Sequence, residues 1–194
     1  MSRSLNTEHG FSLIELITAI GISGIVLAAI TATFISQSRS YDAQEQINGM
    51  QQAARVAMDM ITREVRMGGY DPTSAGISGI VVCNATTIQV RADVVVPADG
   101  LTTGTNEDIT YTFDDPNDQI LRDAEILVEN IALADFDCLV STNPDVVAAT
   151  VADILTVRIT ITATTAKSDP NYTPNGGYRT YTLTSLITPR NLAY

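Results

Sequence analysis

Histidine is almost missing from this chain of 194 residues: the only one, His9, sits in the first ten positions. From Gly10 onward the sequence cannot build a Ser-His-Asp triad, a Cys-His pair or a histidine-ligated metal site, and it lacks the commonest general base. Basic side chains are also scarce, 11 Lys and Arg against 22 Asp and Glu, for a formal net charge of −11. Nucleic-acid binders need basic faces that displace counterions from phosphates, so that class is disfavoured. Cysteine is limited to Cys83 and Cys138. There is no G-x-G-x-x-G fingerprint, no P-loop, and no basic-aromatic stripe. With 45% apolar residues the chain is nonetheless too hydrophobic for a disordered acidic tail. Its length suits one ordinary domain plus an extra segment.

What is present is unevenly distributed. Residues 71–194 carry 16 acids and 6 bases, whereas residues 11–70 carry five acids and four bases. The acidity therefore belongs to a soluble C-terminal body. From Leu16 to Ser38 no side chain is charged. At 1.5 Å per helical residue, roughly 20 such residues cross a ~30 Å hydrocarbon core. A buried core helix of a soluble protein is one alternative, disfavoured because the run stands at the chain start and is apolar all round. A secretory signal peptide would have a shorter apolar region followed by a small-x-small cleavage site.

The junction before the run is specific: Gly10-Phe11-Ser12-Leu13-Ile14-Glu15-Leu16. A short polar leader ends in Gly, an aromatic residue follows, and one acid stands five residues after the Gly. A carboxylate just inside an apolar span costs ~2.5–3.5 kcal/mol or more, so it is expected to have a partner. The stretch resembles the type IV prepilin signature, shared with pseudopilins of type II secretion systems. That resemblance implies cleavage between Gly10 and Phe11 by a prepilin peptidase, then N-methylation of Phe11. It also implies that Glu15 meets the positive amino terminus of a neighbouring subunit. Two buried opposite charges that neutralise each other are more favourable in lipid than either alone. Within the leader only Arg3 and the amino terminus supply positive charge.

The helix is expected to continue from about Phe11 to Met67, roughly 85 Å at 1.5 Å per residue. No proline interrupts residues 11–71, and Gly68-Gly69 followed by Pro72 is a stop signal. Ile47, Met50, Ala54, Met58, Ile61 and Val65 form one apolar stripe at steps of 3 and 4. Arg55, Asp59 and Arg63 are spaced to pair on another face. Gly21 and Gly24 are close-packing positions or places where the helix can unwind.

Beyond Gly69 the pattern turns to alternation and turns. Strands are predicted over 77–82, 87–92, 108–113, 154–164 and 178–187, with Ala124–Leu133 left between strand and short helix. Leu155, Val157, Ile159 and Ile161 are expected to point inward. The fold class is α+β: a long N-terminal helix, transmembrane in its first half, packed on a mainly antiparallel β-sheet head. The organisation expected is a leader over 1–10, a membrane or filament-core helix over 11–38, its amphipathic half over 39–69, and a periplasmic head over 70–194.

A finer resemblance is to PilW-type minor pilins. It rests on Ile61-Thr62-Arg63-Glu64-Val65-Arg66-Met67-Gly68-Gly69-Tyr70-Asp71-Pro72, on Ile109-Thr110-Tyr111 with Leu121-Arg122, and on Thr188-Pro189-Arg190-Asn191-Leu192. GspJ-type pseudopilins share the general plan. The resemblance implies a non-enzymatic, cofactor-free subunit that primes or caps a type IV pilus. Its implied partners are the major pilin, other minor pilins, the prepilin peptidase and methyltransferase, and the inner-membrane assembly platform. The alternatives are a pseudopilin of type II secretion and a tip adhesin or DNA-uptake subunit. A head in the oxidising periplasm makes a Cys83–Cys138 disulfide the expected state, with free buried cysteines or reactive thiols as the alternatives. Asp114, Asp115, Asn117 and Asp118 form a solvated turn or, alternatively, a calcium-binding loop without EF-hand spacing.

Overall fold

The structure, a computed structural model, describes residues 10–140 and 146–192. One helix, α1 (Leu13–Met67), precedes eight strands. These are β1 (Ile80–Asn84), β2 (Thr87–Arg91), β3 (Asp108–Asp114), β4 (Gln119–Arg122), β5 (Glu125–Glu129), β6 (Ile131–Val140), β7 (Ile154–Thr164) and β8 (Thr180–Ile187). All strand pairs are antiparallel, so the architecture is α+β. The chain divides into two compact units, Met1–Gln44 and Glu45–Tyr194.

In the second unit the apolar stripe of α1 is the buried face. Met50, Ala54, Ala57, Met58, Ile61 and Val65 join one core with residues from both sheets. Arg55, Asp59 and Arg63 form no ion pair with one another. Exposed pairs gain little against the entropy of holding two long side chains, so this departure from expectation costs little.

The helix ends where the sequence requires it. Gly69 has φ +78, in the left-handed region that favours glycine, and its N–H donates to the Arg91 carbonyl at 2.9 Å. A Cβ there would collide with the Asn191 carbonyl, and a Cβ on Gly79 would lie 2.6 Å from the Gly69 nitrogen. The next loop folds around Asp71, whose carboxylate accepts the Gly76 N–H at 2.7 Å, the Ile77 N–H at 3.2 Å and the Thr73 hydroxyl at 3.0 Å. These donors, the Ala75 N–H foremost, hold the Asp71 pKa down at about 2. The loop takes residues 77–79 out of the predicted first strand, which begins at Ile80 instead.

The head contains two sheets rather than one: β1-β2-β3-β4-β5 and β6-β7-β8. The ambiguous Ala124–Leu133 segment resolves into β5 and the start of β6, which belong to different sheets. Asn130 makes the break, with φ +60. Asp123 and Ala124, both at positive φ, turn β4 into β5. β7 matches its predicted range, and Val157, Ile159 and Ile161 are buried. Leu155, expected inward, is only half-buried, and Ile154 takes the core position. A register irregularity between Leu139 and Val140 of β6 shifts the alternation there.

Cys83 on β1 and Cys138 on β6 form a disulfide, with a Cα–Cα distance of 6.4 Å. The bond joins the two sheets where the Phe136 N–H also donates to the Ala85 carbonyl, at 3.1 Å. Cys138→Ser should therefore lower stability by about 2–5 kcal/mol, measured by urea unfolding of the full chain in detergent.

Two carboxylates that pattern reading did not single out organise the long β2–β3 connection. Buried Glu107 accepts the Val95 N–H at 3.0 Å and the Gly104 N–H at 2.6 Å. Buried Asp93 accepts the Gly100 N–H at 2.9 Å. Another group ties the end of α1 to the larger sheet. Glu64 accepts the Tyr111 hydroxyl and Arg122 Nη2, the latter at 3.1 Å. Arg122 Nη2 also reaches Asn106 Oδ1 at 2.7 Å. Burial first, and the Glu64 carboxylate second, raise the Tyr111 pKa well above its ordinary value of 10.

The unfolded chain ionises Tyr111 near pH 10 and the folded chain does not. Stability contributed by the neutral phenol is thus full below about pH 10 and declines as pH rises past it. Tyr111→Phe should cost about 1.5–3 kcal/mol at neutral pH through the lost bond to a charged acceptor. It should also flatten the alkaline decline, which denaturant titrations at pH 8 and above will read.

Candidate functional site

The residues singled out at the N-terminal junction lie within the first turn of α1 and the three residues before it. Gly10, Phe11 and Ser12 precede the helix, and Glu15 is its third residue. Ser12 and Glu15 bond each other reciprocally. The Ser12 N–H donates to Glu15 Oε2 at 2.8 Å, and the Glu15 N–H donates to Ser12 Oγ at 3.4 Å. This is a capping box: two orphan donors at a helix start are satisfied by one serine and one acid three residues on. The Ser-x-x-Glu spacing was visible in the sequence, but there Glu15 drew attention as a lone charge and Ser12 drew none.

The large apolar side chains around this turn all face outward. Phe11, Leu13, Ile14, Leu16 and Ile17 are all exposed, Phe11 at 93%. The exposure continues through Ile20, Ile25, Leu27, Ile30 and Phe34. Three threonine hydroxyls inside the run turn back on the helix. Thr18 donates to the Ile14 carbonyl at 2.9 Å, Thr31 to Leu27 at 2.8 Å, and Thr33 to Ala29 at 2.9 Å. Their polar groups are thereby satisfied without water, which an apolar solvent requires. By length and composition α1 is able to cross a membrane.

The other sequence candidates lie in the second unit. Cys83 and Cys138 are bridged, and no free cysteine exists among the described residues. Asp115–Asn117 form a single 3-10 turn closed by Asp118 at φ +52. The Asp114 carboxylate accepts the side-chain amides of Asn117 at 2.7 Å and Gln119 at 2.9 Å, which lower its pKa.

Residues 5–31 match the family model described as the prokaryotic N-terminal methylation motif. No curated protein and no solved structure matches the chain. The motif is the one found at type IV prepilin leaders, and it indicates a type IV pilin-like or pseudopilin-like protein. Such a motif implies processing by a prepilin peptidase and a place in membrane pilus machinery. Proteins of this kind are generally structural rather than enzymatic. The leader and the exposed apolar helix together fit membrane anchoring.

Proposed function

We propose that the chain is a minor pilin of a type IV pilus, held in the inner membrane by α1 with its head in the periplasm. There it joins other minor pilins in a complex that primes or caps assembly onto the major pilin. The observation that carries this reading is the Gly10–Glu15 junction leading directly into an uncharged, all-round apolar helix. Prepilin peptidase cuts between Gly10 and Phe11 and Phe11 is then N-methylated. Glu15 pairs with the new amino terminus of a neighbouring subunit. A pseudopilin of type II secretion carries the same junction. Gene deletion separates the two: loss of surface pili in the first case, loss of secreted proteins in the second.

Processing has a direct readout. The intact mass of protein from a peptidase-competent host should match residues 11–194 with one added methyl group. A bulky residue at Gly10 should block cleavage, because the enzyme must approach the backbone closely there. Protein retaining residues 1–10 in such a host overturns the assignment.

Glu15 has two duties in this reading, and they can be separated. Glu15→Leu removes both cap and charge. Glu15→Gln keeps the capping box, which accepts either Glu or Gln, and removes only the charge. An unpaired amine left in a low-dielectric core is costly, so both variants should be processed and membrane-resident yet fail to co-purify with other pilins. Normal assembly of Glu15→Gln would overturn charge pairing, and failure of Glu15→Leu alone would assign the effect to the capping box.

A further inference from the structure

Four strand edges terminate the two sheets, and three of them are guarded. β5 is short, has Glu125 and Glu129 at its ends, and pairs with β4 across a register irregularity. Charge and bulges are common means of repelling foreign strands. The outer side of β1 is tied to β6 through the disulfide and the Phe136–Ala85 hydrogen bond. The outer side of β6 is also occupied further along: Val140 N–H donates to Val146 at 3.0 Å, and Ala148 N–H donates to Cys138 at 2.7 Å.

β8 differs. Its sequence, Thr-Tyr-Thr-Leu-Thr-Ser-Leu-Ile, has no charge and no proline. Its register with β7 runs unbroken from Val157↔Ile187 to Thr164↔Thr180. Two hydrogen bonds fix where its backbone points. Thr164 N–H donates to Asn130 at 2.8 Å, on the β6 side, and Thr165 N–H donates to Arg179 at 3.0 Å, on the β8 side. Even-numbered residues of β7 therefore face β6 and odd-numbered ones face β8. On β8 the inward set is Tyr181, Leu183, Ser185 and Ile187. The N–H and C=O groups of Thr180, Thr182, Thr184 and Leu186 point away from the sheet. Among the described residues no hydrogen bond reaches any of them, and all four residues are exposed. The hydroxyl contacts Thr160–Thr184 at 3.4 Å and Thr162–Thr182 at 2.8 Å agree, since side chains lie closest in the non-hydrogen-bonded pairs.

We propose that β8 is a homotypic docking strand. It pairs antiparallel with β8 of a second copy of this chain, about a two-fold axis through Leu183, and joins two three-stranded sheets into one of six strands. Charge and self-complementarity identify the occupant. Residues 71–194 carry a net charge of −10, none of it on β8. An approach through β8 brings two acidic heads together without opposing carboxylates.

A two-fold contact must also be complementary to itself. With the axis at Leu183, Thr182 hydrogen-bonds with Thr184 of the second copy, and Thr180 with Leu186. Only this register pairs all four outward residues with one another. On one face the threonine pairs extend the ladder already present. On the other, Leu183 meets its own copy and Tyr181 meets Ser185, covering Tyr181 and Leu183 where a single head leaves them half-buried.

The test uses the full chain in detergent, with mass measured by light scattering. A dimer is expected. In Thr182→Pro the lost N–H faces outward, so the β7 ladder keeps its bonds and an edge tolerates the proline. The two-fold repeats the loss, so dimer affinity should fall at least about tenfold. Leu183→Cys should yield a disulfide-linked dimer on oxidation, because facing non-hydrogen-bonded residues lie about 4.5 Å apart at Cα, within disulfide reach. Leu186→Cys should not. Circular dichroism and the retained Cys83–Cys138 bridge report that each variant is folded. A monomer at every concentration overturns the proposal. So does a dimer that Thr182→Pro leaves intact and Leu183→Cys does not cross-link, which would assign self-association to the apolar helix.

Discussion

The head is organised by one apolar stripe on a helix. Met50, Ala54, Ala57, Met58, Ile61 and Val65 join residues of both sheets in a single core. Neither sheet could bury its apolar face alone at this size, and a five-stranded and a three-stranded sheet need a common cover. Removing one turn of that stripe would uncover both sheets at once. The remaining ties act at its margins: the Glu64–Tyr111–Arg122 group at the end of α1, the Gly69–Gly79 contact just after it, and the disulfide between sheets.

The first unit obeys a different physics. From Leu16 to Ser38 no side chain is charged, the Thr18, Thr31 and Thr33 hydroxyls donate to the helix backbone, and the Glu15 carboxylate accepts the Ser12 N–H in the same turn. A segment built this way is self-sufficient in hydrogen bonds and unsatisfied in apolar contacts. That is the condition for stability in lipid, and equally for packing among identical helices. The capping box gives Glu15 a structural duty independent of any partner.

Much of this was legible beforehand. Periodicity marked the buried stripe, the glycine pair marked the end of α1, and strict alternation marked β7. The Gly10–Glu15 junction was readable because its chemistry is local: residue types at fixed short spacing, with no help needed from distant chain. β4 and most of β6 were missed. β4 is only four residues long, and β6 interrupts its alternation with register irregularities at both ends. Buried Glu107 and Asp93 were missed because carboxylates normally read as surface, and here backbone N–H groups brought by the loop itself bond both Glu107 oxygens and Asp93 Oδ2.

The sequence alone thus determined the local character of each segment: an uncharged apolar run over residues 16–38, one apolar stripe over residues 47–65, and strand alternation in the antiparallel head. These follow from side-chain chemistry and local period. Only the tertiary structure decided that the head is two sheets. Asn130 turns the chain out of one sheet and into another, and strand partnership depends on contacts far apart in sequence. The same holds for the edges. That β8 ends a sheet with its outward N–H and C=O row unpaired is a property of what failed to arrive beside it, and no local pattern within Thr180–Ile187 encodes that.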